Sequence, residues 1–409
     1  MQSKYIMTVA LIVTYTLLCR NILQSTHNRK IYLFLTVNII ADIALLMIAS
    51  GRSGGKAILY YAFVIIVYLF IALLHYMSIK RFARTEGGNS VVPMLLPIII
   101  LIIIKAIPEV GFNREVDKIA TGMIGLSYIL FRLSFLALEV RNSQVDSPKF
   151  VDYSAYALFA PIMLLGPISR YSVFKQSISA ESAPKFSTEI CIGRILVGLV
   201  KYFYLGNILN QLTYGAFIFD GYPHNLMDII ISCIVYYLYL YCNFSGVCDI
   251  AIGVSGLMGV KIEENFNSPF AARNIKEFWN RWHITLSTFM RDILFTPLSK
   301  KLTEKLGVHN INHAVAISTF VVFIAVGVWH GVGWNYLLFG VMHGVGVSSN
   351  FYYSIILKKK LSKEAMRKYN NSKYIKNTGV VITFIYVSLS LMLFANDVKD
   401  IETLYKVLQ

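Results

Sequence analysis

Apolar blocks separated by short polar stretches run through the whole chain. They lie at Tyr5–Cys19, Ile31–Ser50, Ala57–Met77, Val91–Ile107, Ile119–Leu138, Ile190–Leu209, Leu226–Val247, Ala314–Val328, Tyr336–Ile356 and Gly379–Phe394. A helix needs about 20 apolar residues to cross a ~30 Å hydrocarbon core. The pattern therefore predicts an all-α polytopic membrane protein with about ten to eleven transmembrane helices. Shorter or interrupted apolar pieces lie at Tyr153–Leu165, Ile250–Val260 and Phe278–Leu298.

The polar stretches carry the orientation. Lys358–Lys376 holds eight basic residues and one acid, Glu364, whereas Asn210–Met227 holds no Lys or Arg and contains Asp220. Basic loops stay in the cytoplasm, so the first is expected inside and the second outside. Lys80–Arg84 and Lys261–Lys305 are also basic and expected inside. Arg141–Lys149 and Arg170–Lys185 both read as cytoplasmic, so the Tyr153–Leu165 piece between them cannot cross. It contains Pro161 and runs into Gly166-Pro167, and broken backbone at membrane depth is tolerated only under protein or beside a water-filled cavity. A re-entrant segment is expected there. The stretch 274–298 alternates Lys276, Glu277, Arg281, Arg291 and Asp292 with Phe278, Trp279, Trp282 and Phe289. On one helix Phe278, Trp282 and Phe289 share a face, which predicts an interfacial or protein-buried helix.

Composition agrees with a bilayer setting, since 56% of the 409 residues are hydrophobic and only 15% charged. The net charge of +16 sits between apolar blocks, so positive-inside topology and anionic headgroups account for it and nucleic acid is not an expected partner. The cysteines Cys19, Cys191, Cys233, Cys242 and Cys248 form no CxxC pair and no metal-ligand spacing; they read as buried free thiols. No small-residue cleavage site follows Tyr5–Cys19, which reads as the first span and not as a signal peptide.

Two segments concentrate chemistry. Phe278-Trp-Asn-Arg-Trp-His283 and Trp329-His330-Gly331, with Trp334 beyond, contain all four tryptophans and two of the eight histidines. Imidazole gives and takes protons near pH 7 and is costly at membrane depth without a role. His330 is the prime candidate, because two glycines, Gly331 and Gly333, interrupt the apolar run just after it and let backbone turn or approach a substrate. The competing reading is an interfacial histidine at a helix C-terminus. The corresponding alternative for His283 is a polar residue bonded to a carbonyl. The cations Lys276, Arg281 and Arg291 around His283 disfavour its protonated form. His343 lies 13 residues past His330, about 20 Å along a continuous helix, and reads as structural. Asp249, in Asn243-Phe-Ser-Gly-Val-Cys-Asp249, is expected to have a partner or to mark a span end. Gly166-Pro-Ile-Ser-Arg170-Tyr171 reads, taken alone, as a structural turn carrying a cation.

Taken in order, five motifs resemble the membrane-bound O-acyltransferase (MBOAT) family. They are Gly166-Pro-Ile-Ser-Arg170-Tyr171; Asn243-Phe-Ser-Gly246-Val-Cys-Asp249-Ile-Ala-Ile-Gly253; Glu264-Asn265-Phe266-Asn267-Ser-Pro269-Phe270; Phe278-Trp-Asn-Arg-Trp-His283 through Arg291-Asp292; and Trp329-His330-Gly331. The resemblance runs from about Pro161 to Phe394, while the first 150 residues match as a hydropathy pattern. Thr296-Pro297-Leu298 and the ending Leu391-Met-Leu-Phe394-Ala395-Asn396 are similar to the alginate O-acetyltransferase branch; Asn396 and Val247 depart from it, and the teichoic-acid D-alanyl transfer branch is the other comparison.

The resemblance implies a ring of tilted helices around a thin central region with re-entrant or interfacial helices. It implies N-terminal transmembrane helices over 1–150, a catalytic core over 151–396 and a short tail over 397–409. His330 and His283 are the implied catalytic residues. Asn243, Asp249, Trp279, Trp282, Arg281, Trp329 and Arg170 are the implied substrate-binding residues. No cofactor or metal is expected to be bound; the acyl donor is a thioester such as acetyl-CoA or an acylated carrier protein on the cytoplasmic side. The expected activity is O-acyl transfer, most directly of acetyl, toward an extracytoplasmic polysaccharide or a relay acyltransferase, by a multi-pass protein of the bacterial cell membrane. D-alanyl transfer to teichoic acid, a transporter or flippase, and a non-catalytic subunit of an envelope complex are the alternatives.

Overall fold

The computed structural model describes residues 2–25, 30–82, 88–110, 123–179, 186–218, 224–331 and 333–407. Asp220, the ends of the expected loops Lys80–Arg84 and Arg170–Lys185, and the start of the Ile119–Leu138 block lie outside the described residues. The fold is all-helical, 83% helix, with no strand among the described residues. Six described helices are long and apolar enough to cross a membrane: Lys30–Ser50, Gly55–Phe82, Thr188–Asn210, Leu226–Met258, Val308–His330 and Lys373–Ala395. Other expected spans are helical but do not reach that standard. Val92–Pro108 is too short, Leu126–Arg141 has 16 residues, and Trp334–Lys360 is long but interrupted by polar side chains such as Asn335, His343 and Asn350.

The chain divides into two compact units, Met1–Gly198 with Val247–Glu263, and Leu199–Gly246 with Glu264–Gln409. In the first, Lys30–Ser50 packs against Gln2–Gln24, Gly55–Phe82 and the short helix Phe150–Ala157, and Leu126–Arg141 packs against Val92–Val110. The Tyr153–Leu165 piece is no span. Its helix ends at Ala157 and gives way to a 3-10 turn at Ala160–Ile162, yet Tyr153, Tyr156, Phe159 and Met163 are buried. A helix that stops inside protein leaves carbonyls without partners. Arg132, itself 0% exposed, supplies them. Its two terminal nitrogens donate to the carbonyls of Tyr156 and Ala157, each at 2.9 Å. The Ala160 N–H is taken by Asn38 Oδ1 at 2.9 Å.

The Gly166–Tyr171 motif is a turn built for the next helix, Tyr171–Ile178. The N–H of Arg170 donates to Glu263 at 3.1 Å and that of Tyr171 to Glu139 at 3.0 Å. The hydroxyls of Ser169 and Ser172 donate to the same two carboxylates. Carboxylates at a helix N-terminus satisfy free donors and oppose the positive end of the helix dipole. Gly253, in the second motif, sits where a Cβ would come within 2.8 Å of the Cys191 carbonyl, so this helix packs backbone to backbone. The cysteines are free thiols, all buried except the partly exposed Cys242.

In the second unit, Ile311–His330 and Trp334–Lys360 form a tight hairpin. A Cβ on Gly327 would lie 2.4 Å from the Tyr336 carbonyl, and one on Gly340 2.5 Å from the Phe323 carbonyl. Small residues at these positions let the two backbones touch. Lys373–Ala395 packs on Trp334–Lys360. The 274–298 stretch is not one helix. Asn274 caps Ile275–Trp279 through Glu277 N–H, the chain turns through Asn280–Trp282, and His283 takes a left-handed conformation (φ 46°) before Ile284–Met290 begins. Phe278 and Trp282 still stack, with ring centroids 5.6 Å apart, and they join Tyr237, Trp279, Phe323 and Phe339 in a buried aromatic cluster.

Candidate functional site

Both histidines singled out in the sequence lie in the second unit, held by different elements. His330 is the last residue of Ile311–His330 and is only half-buried. The chain leaves it through Gly331 in extended conformation, and a Cβ there would fall 2.4 Å from the Tyr336 ring. The absence of a side chain lets Tyr336 lie over His330, ring centroids 6.5 Å apart and nearly parallel. Trp329 (4.3 Å), Phe394 (4.8 Å) and Phe339 (6.1 Å) complete the rings against the imidazole. All are uncharged.

His283 is buried, edge-on to Phe244 at 4.7 Å and 6.4 Å from the Trp329 ring. Its tautomer follows from its neighbours. Asn265 Oδ1 accepts the Thr285 backbone N–H at 3.2 Å and the Thr285 hydroxyl at 2.8 Å, which identifies that atom as the amide oxygen. His283 Nδ1 lies 3.1 Å from the same oxygen, so Nδ1 carries the proton and donates it. Nε2 is left as a buried lone pair without a hydrogen-bond partner among the described residues. Burial, with His330 adding to it, lowers the His283 pKa to about 3. None of the cations expected to act here, Lys276, Arg281 and Arg291, contributes to the shift; Arg281 is paired with Glu277 and Arg291 with Asp292, each at 2.9 Å.

A third histidine belongs to the same cluster and was not expected there. The 20 Å separation of His343 from His330 presumed one straight helix, but the chain reverses after Gly331 and Phe339 lies between the two imidazoles, 6.1 and 4.4 Å from them. His343 is buried and fully bonded. The Trp279 indole N–H donates to its Nδ1 at 3.2 Å, so Nε2 holds the proton and donates to Ser390 Oγ at 2.9 Å; Ser390 passes its own to the Val387 carbonyl at 2.8 Å. Three elements are thereby tied to one imidazole, and the orientation of Trp279 is set. The signals available in the sequence were the Gly331 break and the aromatic spacing of Phe339 and His343.

The other expected residues divide between the units. Trp279, Trp282, Trp329, Arg281 and Asn243 lie in the second with the histidines. Arg281 spans Glu277 and the Asn267 carbonyl (3.1 Å), a bracing role at the surface. Arg170 and Asp249 lie in the first unit. Arg170 rests over the Phe135 ring at 5.0 Å, and Asp249 pairs with Arg194 at 3.0 Å. Asn265, quoted only as part of a motif, proves to set the His283 tautomer.

The profile of the membrane-bound O-acyltransferase family matches residues 21–394, so the likeness extends well before Pro161. The teichoic acid D-alanyltransferase of Streptococcus thermophilus is 28% identical over 374 residues, covering 88% of this chain and 87% of that protein. The peptidoglycan O-acetyltransferase of Helicobacter pylori is 31% identical over 264 residues, 64% of this chain and 46% of that protein. The probable alginate O-acetylase AlgI of Pseudomonas aeruginosa is 29% identical over 225 residues, 54% of this chain and 41% of that protein.

Proposed function

The chain belongs to the membrane-bound O-acyltransferase family and is an O-acyltransferase, and from that premise we propose that it moves an acetyl group from a cytoplasmic thioester toward a hydroxyl of an extracytoplasmic polysaccharide or of a relay partner. The observation that carries this reading is the half-buried His330 among uncharged aromatic rings, with a second imidazole presenting a bare lone pair nearby. His330 takes the proton of the acceptor hydroxyl as its oxygen attacks the thioester carbonyl; the tetrahedral intermediate then breaks its C–S bond, and His330 returns the proton to the departing sulfur, which leaves as the thiol while the ester remains. Positioned base catalysis contributes roughly 10²–10⁴-fold.

His283 is a poor general base, because a group with a pKa near 3 accepts little of a proton near neutral pH. It also cannot donate to the tetrahedral oxyanion, since its one N–H goes to Asn265. Its Nε2 instead accepts a polar hydrogen of the bound substrate. The oxyanion donor is then Asn243 or the Trp282 or Trp329 indole, Trp279 being engaged by His343. Trp282 and Trp329 line the substrate path with Asn243, and Arg281 braces it; Arg170 and Asp249 act within the first unit. The core is residues 151–396, in a bacterial cell-membrane protein of about ten to eleven crossings.

D-alanyl transfer is the second reading, favoured by the near end-to-end match to a teichoic acid D-alanyltransferase. Purified protein offered acetyl- and D-alanyl-thioesters in parallel is expected to release thiol faster from the acetyl donor. Faster release from the D-alanyl donor alone moves the assignment to the second reading, and release from neither rejects both.

His283 stays neutral at all working pH values, because its lowered pKa lies far below them. Replacing it with neutral glutamine leaves the charge felt by His330 unchanged. His283→Gln is expected to slow turnover about tenfold, the worth of one hydrogen bond of ~1.4 kcal/mol, with the acid limb of the kcat/KM profile in place. A displaced acid limb would show that His283 titrates during catalysis.

The loop Lys358–Lys376 is proposed to be cytoplasmic and Asn210–Met227 external, on eight basic residues against none. Ser362→Cys is expected to resist an impermeant thiol reagent in intact cells, while Gly221→Cys, which lies outside the described residues, is expected to react. The opposite labelling pattern reverses the topology.

A further inference from the structure

The second unit also forms a cavity of about 770 Å³ between the end of Trp334–Lys360, the helix Lys363–Asn371, the start of Lys373–Ala395 and residues 273–275, and one of its lining rings, Tyr386, stands edge-on to His343 at 6.1 Å. None of the rings packed around His283 or His330 lines it. Its volume falls within the range of small-molecule sites. Arg273, Lys358 and Lys376 line it, and no Asp or Glu among the described residues does. Arg273 is paired with Glu277 at 2.9 Å. Lys358 and Lys376 have no ion-pair partner among the described residues, although Lys376 is half-buried.

The rest of the lining is amphipathic. Tyr353 and Tyr369 meet at 3.0 Å through their hydroxyls, while Leu357, Met366, Ile375 and Ile382 are apolar. Lys373–Ala395 is one of the membrane-spanning candidates, and the cavity sits where its basic first turns meet its apolar body. Ile382 lines the cavity and is 62% exposed, and Val381 and Ile385 beside it are exposed as well. A cationic recess thus adjoins exposed apolar surface near the start of a membrane-spanning candidate.

We propose that this cavity is a binding site for the phosphodiester headgroup of an anionic membrane lipid, whose acyl chains lie along Val381, Ile382 and Ile385. Lysines near a bilayer surface attract anionic headgroups, and tyrosines with one wet and one apolar end favour the interface. Two unpaired ammonium groups match the phosphodiester oxygens, and whichever of the Tyr353 and Tyr369 hydroxyls is not donating to the other supplies one further donor. A zwitterionic headgroup would bring its own cation into a recess that offers no acid.

The test uses full-length protein in detergent, with phosphatidylglycerol, phosphatidylcholine or inorganic phosphate added and the thermal midpoint and lipid retention in native mass spectrometry recorded. Phosphatidylglycerol is expected to raise the midpoint and be retained, and the other two are not. The variant Lys358→Gln/Lys376→Gln is expected to weaken retention about 30-fold, with a wild-type elution profile, and Lys358→Arg/Lys376→Arg to keep it. Lys359→Gln/Lys363→Gln removes the same charge from residues outside the cavity and is expected to leave retention unchanged. Equal loss in both glutamine variants would reduce the effect to diffuse surface charge and overturn the site. No preference for phosphatidylglycerol over phosphatidylcholine overturns it too. An equal shift with inorganic phosphate overturns the lipid in favour of a soluble phosphate compound. None of these outcomes depends on acyl transfer at His330.

Discussion

His330→Ala is expected to abolish acyl transfer, a loss of at least about 10²-fold, while the protein remains folded and inserted. A general base lowers the barrier without holding the fold together. His330 is half-buried at the end of a helix, and its neighbours Tyr336, Phe339 and Phe394 also contact one another, so the aromatic box survives loss of the imidazole. A variant with a wild-type elution profile and no turnover is the expected result. Turnover above about a tenth of wild type is too small a loss for a base and would remove His330 from that role. Loss of expression instead would make it a structural bridge.

Arg132→Met is expected to cost the protein about 3–5 kcal/mol of stability, enough to depress yield and thermal midpoint sharply. Removing the guanidinium leaves the Tyr156 and Ala157 carbonyls buried without donors, each a penalty of roughly 1–3 kcal/mol. Asp42, fully buried with neither oxygen hydrogen-bonded among the described residues, also loses the positive charge that acts on it. Arg132→Lys is expected to recover only part, since an ammonium lacks the planar fork that reaches two carbonyls at once. Thermal unfolding of the three proteins in one detergent measures this. A wild-type midpoint for Arg132→Met would mean that the broken helix is satisfied in another way.

The parts of this molecule legible in the sequence were those written as long-range pattern. Apolar blocks located helices such as Lys30–Ser50 and Gly55–Phe82 closely, and charge on flanking loops was enough to deny Tyr153–Leu165 a crossing. What charge could not reveal was how that segment survives burial, because Arg132 lies inside an apolar block and its targets are 24 and 25 residues away. Helical periodicity failed at His283 for a local reason: three aromatic positions fell on one face of an ideal helix, but a single left-handed residue splits that helix in two. The same kind of error hid His343. Rise per residue gave it a distance from His330 that holds only along unbroken helix, and Gly331 breaks it. The direction of the His283 shift was anticipated, and its origin was not: burial and His330 cause it, and Arg281 and Arg291 have carboxylate partners four residues away or next in sequence.

The glycine seam between Ile311–His330 and Trp334–Lys360 bears on how the enzyme can be slowed or tuned. Where two backbones touch, sliding one past the other has no small increments, because any shift drives carbonyl oxygens into Cα atoms. His330 at one end of the seam and His343 partway along it are in effect marks on a single ruler. The separation of His330 and His343 is then set by the seam, so adjustment to donors or acceptors of different size falls to the side chains around them. Substitutions that widen the range of acyl groups are best sought among the rings packed on His330, for example at Phe394, and not on the ruler itself.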